Sequence, residues 1–107
     1  MARDLLICVA TAHEDGLLRA AVGGDRGVFC GWPVRLLRTG VGPVKAAYAL
    51  TYALATEPAD EVVLCGVGGA YPGSGLDVGD VACAASEQFA DFGAETPDGF
   101  LHAADLG

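Results

Sequence analysis

Two short apolar runs constrain this chain more than anything else in it. Leu5-Leu6-Ile7-Cys8-Val9 has no polar interruption, and Val62-Val63-Leu64-Cys65 follows Glu61 in the same manner. A strand with one wet face alternates apolar and polar residues. An unbroken run suits a strand covered on both faces, as in a parallel sheet. Parallel neighbours need crossover connections, and the sheet needs helices above and below it.

The stretches between the runs fit that requirement. Residues 13–22 carry a helical pattern, with Leu17, Leu18, Ala21 and Val22 on one face and Gly23-Gly24 ending it. Residues 28–31 and 34–39 read as two strands turning at Trp32-Pro33, an antiparallel hairpin inside a mixed sheet. Pro43 suits the first position of a helix over residues 44–56. Its stripe of Val44, Ala47, Tyr48, Thr51 and Ala55 is expected to pack against the sheet, and Glu57-Pro58 stops it. The strand at residues 61–67 closes a βαβ unit, for which a right-handed crossover is expected. A further strand is predicted at residues 80–87, followed from Gln88 by an acidic loop.

The reading is therefore α/β: a three-layer αβα fold with a mixed, largely parallel sheet. It is expected to be incomplete, because only two clear helices are present and nothing after Glu87 reads as the rest of the outer layers. Repeats and low-complexity segments are absent from the sequence.

Composition narrows the function. Hydrophobic residues make up 52% and charged residues 19%, enough apolar matter for a packed core. A net charge of −8 repels phosphate polymers and anionic lipid, which argues against a nucleic-acid or membrane-surface partner. Residues 46–55, the longest uncharged apolar stretch, have about half the length that crosses a bilayer. Arg3, the run Leu5–Val9 and Ala10-Thr11-Ala12 imitate a signal peptide, but the run is short and Asp4 spoils the basic region; a strand explains it better. The expected location is the cytoplasm. Cys8, Cys30, Cys65 and Cys83 lack the close pairing of a zinc site, so no metal is expected, and Cys8, Cys65 and Cys83 read as buried free thiols.

Three motifs carry possible chemistry. Gly40-Val41-Gly42-Pro43-Val44-Lys45 joins a strand to a helix, where backbone N–H groups can meet an anion or a ribose hydroxyl. As a dinucleotide fingerprint it fails: Lys45 replaces the third glycine, and Glu61 stands at the beginning of the next strand rather than at its end. A tight turn that needs glycine for packing explains it equally well. Gly66-Val67-Gly68-Gly69-Ala70-Tyr71-Pro72-Gly73-Ser74-Gly75 leaves the C-terminal end of a strand, the usual ligand edge of an open α/β sheet. It is not a P-loop, which argues against ATP or GTP; the plain alternative is a wide connection. His13-Glu14-Asp15 follows the first strand. A carboxylate there can act as a general base, although acids in a first turn more often serve as caps.

Taken in order, these segments resemble the nucleoside phosphorylase and nucleosidase family, and within it the branch that hydrolyses futalosine. The resemblance rests on Ala10-Thr11-Ala12-His13-Glu14, Thr39-Gly40-Val41-Gly42-Pro43-Val44-Lys45-Ala46-Ala47, Cys65 to Leu76, Val78-Gly79-Asp80-Val81 and Asp91-Phe92-Gly93-Ala94-Glu95-Thr96-Pro97-Asp98-Gly99-Phe100. It implies cleavage of futalosine to hypoxanthine and dehypoxanthinyl futalosine, a step in menaquinone biosynthesis, without metal or organic cofactor and in a homo-oligomer. By resemblance, Glu14 positions the attacking water and Val41 contacts the 5′ side of the ribose. Gly68 and Gly69 lie against ribose and base, beside Val67, where a nucleosidase can carry serine. It further implies that residues 1–107 are the N-terminal part of a single nucleosidase domain. The purine-protonating Asp and the ribose-binding Met-Glu belong to a C-terminal half, so the chain by itself is expected to be inactive. Two rivals stay open. One is a phosphorylase, which needs cations around phosphate, where Arg35 and Arg38 lie on a strand instead. The other is a non-catalytic nucleoside-binding fragment.

Overall fold

The computed structural model describes residues 3–106. They form two compact units, Met1–Gly69 and Ala70–Gly107.

The first unit holds a four-stranded sheet in the order β2-β3-β1-β4. Strand β1 (Leu5–Val9) pairs in parallel with β3 (Trp32–Arg38) on one side and with β4 (Glu61–Leu64) on the other. β2 (Arg26–Phe29) runs antiparallel to β3. The sheet is mixed and largely parallel, as expected. Helix α1 (Ala12–Val22) follows β1, and α2 (Pro43–Thr56) links β3 to β4. The first connection moves outward from β1 and the second moves back across it. Leu18 and Val22 of α1 pack with Ile7 and Val34, whereas Arg35, on the other face of β3, meets the end of α2, so the helices lie on opposite faces in the αβα layering.

Strand alternation divides the core between those faces. Ile7, Val34 and Val22 form the buried cluster under α1, with Leu5, Leu18, Leu36 and Cys65 packed around it. Leu6 and Cys8 are buried on the other face. Burial, helped by neighbouring Cys65, raises the Cys8 thiol above its ordinary range. There, Arg35 donates to the carbonyls of Glu57 at 3.0 Å and Pro58 at 2.9 Å. A cation thus meets the C-terminal end of α2, where unpaired carbonyls and the helix dipole favour it.

Several expectations need correction. The hairpin turns at Cys30-Gly31, not Trp32-Pro33: these residues have φ of 51° and 81°. Two consecutive positive φ values match the twist of the flanking strands, and glycine carries the second without steric cost. Pro33 sits inside β3 opposite Val28, next to the Phe29–Trp32 pair that closes the hairpin. Alternate pairs in an antiparallel ladder exchange no hydrogen bonds, so its missing N–H costs nothing toward β2. Both helices are rotated from the predicted faces. On α1 the inward residues are Asp15, Leu18, Arg19 and Val22, while Leu17 is exposed. On α2 they are Ala46, Ala49, Leu50, Ala53 and Leu54; Val44, Ala47, Tyr48, Thr51 and Ala55 look outward. An alanine-rich helix is apolar almost all round, so periodicity selects its inner face poorly. The face that sets both leucines among alanines turns to the sheet, because leucine carries purely apolar area to cover and alanine lets the helix approach. The tyrosines, with a polar tip, stay outside. β4 ends at Leu64, three residues early, and its residues are exposed although they read as buried.

The second unit contains an antiparallel pair, β5 (Gly93–Thr96) and β6 (Gly99–His102), followed by a 3-10 turn at Ala103–Leu106. The strand predicted at residues 80–87 is not formed, and the predicted acidic loop holds this hairpin instead. Thr96 donates its hydroxyl to the Gly99 carbonyl at 2.7 Å, closing the turn. Residues 80–87 are exposed, so their apolar character finds no layer to pack on. Cys83 is exposed and Cys65 half-buried, against the expectation of buried thiols.

Candidate active site

Three parallel strands end on one rim of the first unit, so the connections at residues 10–11, 39–42 and 65–69 leave the sheet side by side. Ligands of open α/β sheets bind at such a rim.

The first connection starts α1 through a Thr-x-x-Glu capping box. Glu14 Oε2 accepts from the Thr11 N–H at 3.0 Å and from the Thr11 hydroxyl at 2.8 Å. Its other oxygen, Oε1, accepts a long hydrogen bond of 3.4 Å from the Val67 N–H in the third connection. These bonds, the Thr11 hydroxyl foremost, hold the Glu14 carboxyl below the usual carboxylate range, against the opposing effect of desolvation. The result is a half-buried, ionised carboxylate tied to two of the three loops. Gly66 is crowded by it: a Cβ there would stand 3.3 Å from Glu14 Oε1.

The middle connection is anchored by Thr39, whose N–H donates to the Val9 carbonyl at 2.9 Å. Gly40 has φ of 82°, and a Cβ on it would meet the Lys45 side chain at 3.0 Å. The left-handed backbone therefore accounts for this glycine, with the flexible Lys45 chain a secondary obstacle. Val41 stands on the same rim with its side chain exposed. Gly68 and Gly69 have open space where a side chain would be, so backbone is accessible there, and Val67 is exposed. The structure thus joins Glu14 to Val67 directly and sets Val41, Gly68 and Gly69 along the same edge.

Three nearby residues, Thr11, Asp15 and Thr39, stand inside the motifs named above but carried no role of their own there. Thr11 was legible from its spacing to Glu14, and Asp15 from its i, i+4 spacing to Arg19; Thr39 carried no separate signal. Asp15 is 2% exposed and accepts from Arg19 and Arg38, each at 2.9 Å. Hydrogen bonding from Arg19, then Arg38, keeps its carboxyl below the usual range. Its work is to fasten α1 to the end of β3. Among the described residues, no group of three or more His, Cys, Asp or Glu could hold a metal ion. No described helix is long and apolar enough to cross a membrane.

Residues 22–105 match the family described as the phosphorylase superfamily. The chain belongs to this superfamily. It is also similar to the futalosine hydrolase of Streptomyces coelicolor, with 43% identity over 82 residues, covering 72% of this chain and 34% of that enzyme. The chain thus spans about a third of the length of the curated relative it matches. No solved structure matches it. As a member of the superfamily, the chain places its fold and its glycine connections in one frame: the matched residues include β3, the loop before α2, β4 and the hairpin of the second unit. Glu14 lies ahead of the matched span, so its assignment rests on the rim geometry and on the resemblance of its own segment.

Proposed function

We propose that this chain is the N-terminal part, residues 1–107, of a single nucleosidase domain that hydrolyses the N-glycosidic bond of a purine nucleoside. The substrate is futalosine, split to hypoxanthine and dehypoxanthinyl futalosine in cytoplasmic menaquinone biosynthesis, by a homo-oligomer without cofactor. Superfamily membership and the named relative support the reaction class. The observation that carries the mechanism is Glu14, an ionised carboxylate held between the loops that follow β1 and β4.

Cleavage of such a bond builds oxocarbenium-like charge on the ribose, and water attacks the face opposite the departing base. A carboxylate with a lowered pKa is a weak base but a permanent anion. Glu14 therefore orients the water through hydrogen bonding and offsets the ribose charge, while the backbone at Val67, Gly68 and Gly69 and the side chain of Val41 seat the sugar. The acid that protonates the purine is supplied from outside this chain. Arg35 and Arg38 are engaged with Glu57 and Asp15, so neither stands free to hold a phosphate, which favours hydrolysis over phosphorolysis.

The test is hypoxanthine release from futalosine by the protein as its host makes it, with and without phosphate. Release without phosphate is expected, reduced about 10²- to 10³-fold by Glu14→Gln. A requirement for phosphate, or an unaltered rate in Glu14→Gln, overturns the proposal. The 107-residue chain alone is expected to release none at enzymatic rates.

A further inference from the structure

Two consecutive carboxylates, Glu14 and Asp15, stand in the first turn of α1. Successive residues of a helix point about 100° apart, so the two leave it in different directions. Glu14 reaches the exit of β4, where its Oε1 accepts from the Val67 N–H at 3.4 Å. Asp15 reaches the end of β3, where Arg38 donates to its Oδ2 from Nη2 at 2.9 Å and from Nε at 3.2 Å. β3 and β4 flank β1, so these two anchor strands are roughly 10 Å apart, two strand spacings. Both anchors are themselves pinned to β1. The Thr39 N–H, next to Arg38, donates to the Val9 carbonyl at 2.9 Å, and the Cys65 N–H, shortly before Val67, donates to the Cys8 carbonyl at 2.9 Å.

The two attachments differ in strength, and the difference decides which one sets the helix. A bond of 3.4 Å to a backbone N–H is at the outer limit of hydrogen bonding. The Asp15–Arg38 contact is charge-assisted from both sides, and Asp15 is buried, where water competes little. Arg19 also donates to Asp15 at 2.9 Å. It stands on the same helix, so it helps offset the buried charge without fixing α1 to the sheet. The Thr11 bonds of Glu14 are equally local, since Thr11 caps the helix that carries Glu14. Further along α1, Leu18 and Val22 pack on Ile7 and Val34. Apolar contact is non-directional, so it holds the helix down without fixing its rotation.

We propose that Asp15 and Arg38 are positioning residues for the reaction: their contact fixes the rotation of α1 and so holds the Glu14 carboxylate at the exit of β4. Their role rests on the nucleosidase reading of Glu14, and neither residue touches the substrate. With the contact broken, the first turn of α1 swings on its apolar base and Glu14 leaves the Val67 N–H. The carboxylate stays charged but is misplaced, and a displacement of about 1 Å can slow a reaction about 10²-fold.

The experiment has two arms. In the first, futalosine hydrolysis is followed well below the melting temperature, on the protein as its host makes it. Arg38→Gln alters a side chain that is 46% exposed and leaves Asp15 with Arg19. Its kcat per folded molecule is expected to fall about tenfold with KM inside about twofold, the pattern of a loss felt in the transition state and not in binding. Arg38→Lys keeps the charge, loses the planar fork and falls between. Asp15→Asn matches Arg38→Gln, and the double variant loses no more than either, because both break one contact. Leu54→Ala, on the inward face of α2, lowers stability and leaves kcat unchanged, which separates positioning from destabilisation. The second arm needs no substrate: the Val67 amide resonance is expected to move in Arg38→Gln. An active protein whose kcat is unmoved in Arg38→Gln, or whose KM alone changes, overturns the proposal, and Arg38→Gln decides by itself if Asp15→Asn does not fold. A wild-type protein that splits no futalosine sinks the nucleosidase reading. The Val67 resonance then decides alone: a shift keeps Asp15 and Arg38 as what holds Glu14, and an unmoved signal overturns them.

Discussion

The two helices of the first unit hold to the same sheet by different means. α1 turns two charged and two apolar residues, Asp15, Arg19, Leu18 and Val22, toward the sheet, and its first turn is tied by the Thr11–Glu14 box and by Arg38. α2 places three alanines with Leu50 and Leu54 inward, begins on Gly42-Pro43 without a side-chain cap, and leaves Tyr48 and Tyr52 stacked outside, ring centroids 6.4 Å apart. One is fastened at named points. The other is held by diffuse contact and by Arg35 at its end. Substitution costs should therefore concentrate at single residues beneath and at the start of α1, and spread thinly over α2.

The largest effect is expected where α1 meets the sheet. Ile7→Ala opens a cavity in the cluster with Val22 and Val34 and costs about 3 kcal/mol in urea unfolding, within the usual range for a buried Ile. An equal cost for Ala53→Gly on α2 would erase the contrast. Asp15→Asn comes next: it frees α1 from β3 and lowers the melting temperature at neutral pH by less than Ile7→Ala. Its pH dependence sharpens the point. The folded pKa of Asp15 lies below the unfolded value, so its stabilisation is present above the unfolded pKa, about 3.9. It fades as pH falls through the folded pKa. The acid limb of the melting-temperature profile should flatten in Asp15→Asn, and an unaltered limb would remove Asp15 from the account. Thr11→Ala, which strips the cap hydroxyl, should cost about 1 kcal/mol in the same unfolding assay. Tyr48→Ser, on the outer stripe of α2, should stay within about 0.5 kcal/mol.

The parts of this fold legible in the sequence were those set by local chemistry. Five apolar residues in a row gave β1, Gly23 ended α1, and Pro43 and Glu57-Pro58 bounded α2. Geometry that depends on partners was hidden. Nothing local says that Cys30 accepts a positive φ so that Pro33 can enter a strand, nor that Asp15 turns inward to meet an arginine 23 residues away. Residues 80–87 have strand-like composition but form no strand, whereas Gly93–Thr96 and Gly99–His102, short and bounded by glycine, pair with each other. At the rim, Glu14 was visible from its segment, but its hydrogen bond to Val67 was not, since 53 residues separate them.

That bond links two pieces of backbone that share no sequence neighbourhood. Because one side chain both starts a helix and steadies the strand exit beyond it, loosening either place slackens the other. Drift in the Thr11–Glu14 segment and drift around Gly66 are thereby coupled, and a replacement tolerated by one loop has to satisfy both.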